Sequence, residues 1–498
     1  PYTSIIDQNA DVVRRILEPC GAAFGSVVLE HHSNLIPTKQ TWRSKILSEN
    51  WDAPVVFTTA VQLLEALFGS GTRGVRRMHQ MANAVLIFDE AQTLPIRCVH
   101  IFNNAVNFLR QQCGSTVILC TATQPLLHKV DEKKGAICLD ENAELMGDAP
   151  KLFSILRRHI TYDRRKAGGW EHGEVAALAV AETDRAGSCL VVVNTKHEAR
   201  SVFQECKVLA GVPVVHLSTN MCAAHRLRKL KTMTLRLRRR APVICVSTQL
   251  IEAGVDISFG SAIRALAGLD SIAQTAGRCN RHGGPILGHV HVVNLKGELP
   301  SALGDIRVAQ EAAQRVLDER AAPDRTVDLD NPMLIEQYFG YSFFEHRKDM
   351  SYPVAAGRDR AERDDTLLNM LGANAQALEG CRPCPEIYMH QSFKTAAEAF
   401  QAIDKVSQGV IVPYTSGGAA VINGLCAAHE PAKQFELLRR SQRFTVNLFP
   451  NVLRNLQNAD ALYEAKEGTG ILCLRPRYYS KEFGLNEEGT EELEILDA

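Results

Sequence analysis

Asp89 and Glu90 stand side by side directly after five apolar residues, in the run AVLIFDEAQTL over Ala84–Leu94. That pattern predicts a buried parallel strand, which would deliver both carboxylates to the crevice outside the carboxyl ends of a sheet. One acid there can hold Mg²⁺ while its neighbour poises a water, which is the chemistry of nucleotide hydrolysis. Adjacent acids after a strand more often open a solvated loop, so the pair needs partners. Arg278 and Arg281, in QTAGRCNR, offer one: three residues apart, they share a face if the segment is helical and could clamp a phosphate. Taken alone, that spacing reads equally as a surface arginine pair.

The elements that must position these groups alternate between strand and helix. After a short helix at 11–18, Gly25–Leu29 reads as a strand running into His31-His32-Ser33. Val55–Phe57 reads as a strand ending in Thr58-Thr59, with a helix over Val61–Phe68 behind it. Gly69–Gly74 matches G-x-G-x-x-G formally, but it follows a helix and not a strand, so it is read as a surface loop. Thr116–Cys120 predicts another buried strand, ending in Thr121-Ala122-Thr123. From Asp131 to about Gly187 the chain turns irregular and charged, as a connection would.

A second strand series then begins: Cys189–Val193 before Asn194-Thr195, Val212–Val215 before His216-Leu217-Ser218, and Val243–Val246 before Ser247-Thr248-Gln249. Strands alternating with helical segments predict a second parallel α/β sheet. Between them Arg226–Arg240 is rich in Lys and Arg with leucines interleaved, a solvated basic face or, more sharply, a phosphate contact. Beyond 300 come helical stretches such as Gly304–Arg320, a charged segment at Arg358–Asp365, and a last compact region from Gln391 with Val410–Val412 and a Gly417-Gly418 turn.

Length and composition set the bounds. The 498 residues suffice for about three domains. Hydrophobic residues make up 45% and charged ones 22%, ordinary for a globular protein, and no apolar run approaches the ~18 residues of a membrane span. Lys+Arg and Asp+Glu balance at 56 each, so nucleic-acid contact would need a local basic groove. Fourteen scattered cysteines, such as Cys120 and Cys245 within expected strands, suggest reduced thiols and a cytoplasmic location. The close pair Cys381 and Cys384 lacks the two further ligands at similar spacing that a zinc site requires.

The order of these motifs is more specific than any one of them. Strand-DEAQ, strand-TAT, Ser247-Thr248-Gln249 through Glu252 to Asp256, then QTAGRCNR resembles the ordered signature of superfamily 2 helicases. More narrowly, DEAQTLP, STQLIEAGVDI, QTAGRCNRHG, the opening PYTSIIDQ, and the tail elements VIVPYTSGG and RPRYYSKEFGLN resemble the CRISPR-associated helicase-nuclease of type I interference systems, the Cas three family. The resemblance implies an α/β fold with two RecA-like parallel-sheet domains and a mixed α+β carboxy-terminal accessory domain. On this sequence that would be a partial first domain at 1–150, a second at 151–300, a linker and helical region at 301–385, and the accessory domain at 386–498.

The resemblance also implies roles. Asp89 would hold Mg²⁺ and Glu90 would activate the attacking water, with Gln92 in the same catalytic motif; Arg278 and Arg281 would be arginine fingers on the γ-phosphate of ATP. Gly254, Asp256, Gln274 and Gly277 would line the nucleotide cleft, while Thr121 and Thr123 would couple hydrolysis to movement. Thr58, Thr59, Thr195, Ser218, Thr248 and Gln249 would grip the backbone of single-stranded DNA without reading bases. Movement would run 3′ to 5′, and the partner would be an RNA-guided surveillance complex.

Two parts of that family's pattern are absent from the sequence. No Gly-Lys dipeptide occurs, and therefore no P-loop to cradle phosphates; it is expected upstream of Pro1. No His-Asp dipeptide occurs either, so the HD-type nuclease is missing, and His31-His32 lack acids at ligand spacing. The chain alone is therefore expected to be inactive. Two other readings stay open: a non-catalytic nucleic-acid-binding or complex-docking protein derived from a helicase, and another superfamily 2 enzyme such as a repair helicase.

Overall fold

The computed structural model describes residues 3–18, 27–31, 47–121, 123, 125–140, 142–252, 254–284, 286–300, 303–320, 324–357, 363–379, 389–402 and 407–489. Cys381, Cys384 and His32 lie outside these residues. The chain forms two compact units, one from 1–147 with 335–404 and the other from 148–334 with 405–498. The segment expected as a linker and helical region is thus divided, and the sequence from 405 on folds with the second unit.

In the first unit, strand β1 (Val28–His31) pairs in parallel with β2 (Val55–Thr58), and β3 (Val85–Asp89) with β4 (Thr116–Cys120), Asp89 lying opposite Cys120. Helix Ala60–Phe68 starts where the Thr59 hydroxyl accepts from Gln62 N–H at 3.2 Å, satisfying a donor that the helix itself cannot. Helix Val99–Gln112 covers one face of β3, with Phe102 edge-on to Phe88 at 5.0 Å. The shared core takes in Leu64, Phe102, Val106 and Leu127 together with Tyr352, Leu367 and Phe400 from the later segment.

Two expectations change here. The strand before Asp89 is not buried on both faces: Leu86 and Phe88 pack inward, but Val85 and Ile87 are 63% and 64% exposed. Side chains alternate along a strand, and among the described residues no helix layer covers the second face. Gly69–Gly74 is also only partly a loop, since helix Thr72–Met78 begins within it after Gly71 turns the chain at φ 98°.

The second unit is built on a seven-stranded sheet. Its strands are β5 (His159–Asp163), β6 (Ser188–Val192), β7 (Val214–Leu217), β8 (Val243–Ser247), β9 (Ser261–Ala265), β10 (Gly288–Val293) and β11 (Thr326–Val327), in the order β11-β5-β10-β9-β6-β8-β7. All pairs are parallel except β11 with β5. β6, β8 and β9 are buried throughout, as the centre of a sheet covered on both faces requires. The stretch expected as a connection supplies β5 and helix His172–Ala186, which Gly187 ends at φ 77°.

A smaller four-stranded sheet follows, in the order Thr445–Leu448, Gln408–Ile411, Leu472–Leu474, Leu462–Glu464. It is tied to the basic helix Ala223–Arg238. His225 stacks on Tyr414 at 4.3 Å, and the Tyr479 hydroxyl meets His225 Nδ1 at 3.0 Å and accepts from Cys222 N–H at 3.1 Å. The basic run is therefore not all solvated face: Arg226 donates inward to the Met221 carbonyl at 3.1 Å.

Candidate functional site

The polar ends of β3 and β4 meet. Glu90 turns the chain out of β3 in the left-handed region at φ 56°, ψ 50°, a conformation that disfavours a side chain with a Cβ. Its carbonyl accepts the Thr93 hydroxyl at 2.8 Å, which helps to hold that turn. The Glu90 carboxylate accepts from Gln92 Nε2 at 2.6 Å, the Gln92 carbonyl oxygen accepts the Thr121 hydroxyl, and Thr121 is joined to Thr123 through the Thr123 amide at 3.2 Å. One chain of hydrogen bonds thus runs from the acidic strand end to the neighbouring one. Asp89 is exposed at the end of β3. Thr58 and Thr59 stand at the end of β2, but their hydroxyls are engaged with the His31 carbonyl at 2.9 Å and with the helix cap.

In the second unit the two arginines do not share a helical face. Helix Leu269–Ala276 ends at Gly277, the backbone of Phe259 pairs with Cys279, and Asn280 takes φ 48°, so 278–281 is a turn. Arg278 is only 7% exposed and donates from Nε to the Ile251 carbonyl at 3.2 Å, and from its guanidinium to the Glu252 carbonyl. Arg281 projects outward and meets Asp256 at 3.1 Å. Gly254 turns at φ 84° within the same loop. Arg278 is thereby fixed to the backbone of the STQLIEAGVDI segment, and Arg281 to its last acid.

Sequence reading missed what lies beneath. Arg264, fully buried on β9, sits 2.8 Å from Glu252 Oε1 and donates to Asn194 Oδ1, the Ala265 carbonyl and Ser271 Oγ, each at 2.8 Å. Ser271 and Thr275 donate in turn to Glu252. Burial raises the Glu252 carboxyl above its usual range, and Arg264, Ser271 and Thr275 pull it back down. This network joins the loop bearing Gly254 and Asp256 to the helix bearing Gln274. An arginine in the middle of the apolar run SAIRA was its signal in the sequence.

Other predicted contacts fare unequally. The Thr195 hydroxyl accepts from Glu198 N–H at 3.0 Å in a capping box. Ser218 is 1% exposed and Thr248 is buried, whereas Gln249 is partly exposed. In this structure Ser218 and Thr248 offer little surface to a strand.

One unit with a seven-stranded, nearly all-parallel sheet and polar loops at its strand ends, and another whose paired parallel strands end in DEAQ and TAT, have the RecA-like architecture. Residues 185–284 match the C-terminal family of CRISPR-associated nuclease/helicase Cas3. The Cas3 of Haloferax volcanii is 26% identical over a region covering 56% of this chain and 40% of that protein. The Cas3 of Streptococcus thermophilus is 30% identical over 104 residues, 20% of this chain and 11% of that one. T. fusca Cas3, solved with AMPPNP, shares the fold at a TM-score of 0.64 and 14% identity, covering 95% of this chain and 61% of the other. In each of these comparisons the chain is similar to members of the Cas3 family. It spans less than two thirds of the length of these relatives.

Proposed function

We propose that this chain is part of an ATP-dependent helicase that translocates 3′ to 5′ on single-stranded DNA and unwinds the target in type I CRISPR interference. The observation that carries the reading is the hydrogen-bonded chain from Glu90 through Gln92 and Thr121 to Thr123, which ties the residue suited to activating water to the neighbouring strand end. Such a link lets a change at Glu90 be felt at 121–123, the coupling a motor needs.

Within that reading, the exposed Asp89 carboxylate at the end of β3 suits Mg²⁺, which takes one or two carboxylates and keeps several waters. The ion would supply charge neutralisation for the phosphates of ATP. Glu90 orients the attacking water and accepts its proton, with Gln92 fixing the carboxylate. Arg281, partly exposed and held by Asp256, is the better placed finger; Arg278 acts by shaping the loop of Gly254 and Asp256. Gln274 and Gly277, at the end of helix Leu269–Ala276, would line the nucleotide cleft in the same reading. Thr58, Thr59, Thr195 and Gln249 stand at strand ends, where backbone amides would meet phosphates without reading bases.

Cas3 folds of this kind have been solved with AMPPNP, ATP and ADP, and a similar chain occurs in a structure of a CRISPR RNA-guided surveillance complex at a TM-score of 0.55. These support ATP as the nucleotide and such a complex as the partner. With no Gly-Lys dipeptide in the chain, the phosphate cradle must be supplied from outside it, and the chain by itself is inactive. Hydrolysis of ATP, with and without single-stranded DNA, tests this on the chain and on a longer product that adds a P-loop. Activity confined to the longer form supports the reading; DNA binding without hydrolysis in either form would instead indicate a docking module.

A further inference from the structure

Three metal-ligating side chains converge in the second unit, at the end of the sheet opposite the loops that carry Thr195, Ser218 and Thr248. Glu182 lies near the end of helix His172–Ala186, and His289 and His291, two apart on β10, point to the same face of the sheet. Glu182 Oε1 is 3.0 Å from His291 Nε2 and 3.7 Å from His289 Nδ1, and all three donor atoms lie within 4.8 Å of one another. A tetrahedral zinc ion with bonds of about 2.0–2.2 Å needs donor atoms roughly 3.3 Å apart, a value that the two measured distances bracket.

Burial makes the cluster more than a surface coincidence. His291 is 1% exposed, yet neither ring nitrogen makes a well-aligned hydrogen bond; Nε2 faces Glu182 Oε1 off the line that an N–H would need. A buried imidazole so placed is costly unless something else satisfies its lone pair. The surroundings already orient the donors. Tyr162 stacks on His291 at 5.6 Å, and Arg185 donates to Glu182 Oε2 at 2.6 Å, leaving Oε1 directed at the histidines.

We propose that Glu182, His289 and His291 bind a zinc ion, with water in the fourth position on the partly exposed side of His289. Two imidazoles and a carboxylate are a donor set suited to zinc. Parallel strands place the site toward the amino end of β10, opposite the strand ends that carry Thr195, Ser218 and Thr248. It would staple the helix to β10, whose His289 carbonyl contacts Cys279 Sγ at 3.6 Å, next to Arg278.

The test uses the whole chain, stripped with a chelator and titrated with zinc chloride by calorimetry, with the thermal midpoint and the cobalt(II) spectrum as second and third readouts. The proposal predicts one equivalent bound, a higher midpoint, at least tenfold weaker binding in both Glu182→Gln and His289→Ala, and no thiolate charge-transfer band with cobalt. His289 is partly exposed, so its variant should fold, as circular dichroism will show, and it decides the matter if Glu182→Gln does not. No stoichiometric binding, unchanged affinity in His289→Ala, or a thiolate band placing the ion on the cysteines would each overturn it.

Discussion

Replacing Arg264 by Met should loosen the second unit more than any exposed substitution. The side chain is fully buried and bonded to Glu252, Asn194, Ser271 and the Ala265 carbonyl, so its loss leaves a buried carboxylate with only Ser271 and Thr275 as donors. Breaking a buried pair by removing one partner costs about 3–5 kcal/mol. Burial already raises the Glu252 carboxyl, so in the variant the group can escape by taking a proton, which sets the loss near the lower end, ~3 kcal/mol. The sign follows: a carboxyl whose folded pKa is raised loses stability as pH climbs through that pKa, so the variant should be least damaged in acid. Hydrogen exchange of the β9 amides reads this directly, and ~3 kcal/mol is roughly two decades in protection. Replacing Glu252 by Met as well should recover most of the loss, because the charge left unpaired is gone. A single-variant loss below ~1 kcal/mol, or losses that simply add in the double variant, would refute the network's role.

Three further outcomes are expected. Thr121→Val removes the donor to Gln92; unfolding of the first unit should shift by ~1 kcal/mol, and in an ATP-hydrolysing form the turnover rate should fall while DNA affinity holds. His216, buried between Phe203 and Phe483, is held neutral by burial at about 3, so from pH 6.5 downward the unfolded chain gains a proton that the folded one refuses. Stability should fall by up to ~1.4 kcal/mol per pH unit from this group, and His216→Leu should flatten that slope in urea melts. Gly484 takes φ 78° with a would-be Cβ 2.4 Å from the Asn220 carbonyl oxygen. Gly484→Ala should therefore cost at least ~1 kcal/mol and expose the tail to limited proteolysis.

Legibility from sequence followed how purely each element spoke. β4, β6 and β8 are unbroken apolar runs and were read nearly to the residue, as were the polar motifs that follow them. β5, HITYD, and β10, GHVHVV, carry histidines and other polar residues at positions that the fold buries or half-buries, so no apolar run marked them. The arginines at 278 and 281 were found, but their geometry was not. Spacing alone cannot show that the helix stops at Gly277, that Phe259 pairs with Cys279, or that Asn280 turns left-handed. The resemblance likewise implied a grip on DNA for Ser218 and Thr248 at strand ends. Whether a loop hydroxyl faces out or in depends on packing from distant segments, and both are buried. The exposed Val85 and Ile87 show the converse, since five apolar residues in a row say nothing of whether a second layer is present to cover them.

The most direct test of the proposed motor is ATP hydrolysis stimulated by single-stranded DNA, measured on this chain, on a longer product carrying a P-loop, and on that product with Glu90→Gln. The account predicts no stimulated hydrolysis by the chain alone, clear stimulation in the longer form, and a loss of at least about a hundredfold on changing Glu90. Stimulated hydrolysis by the chain alone, or hydrolysis that survives Glu90→Gln, would contradict it.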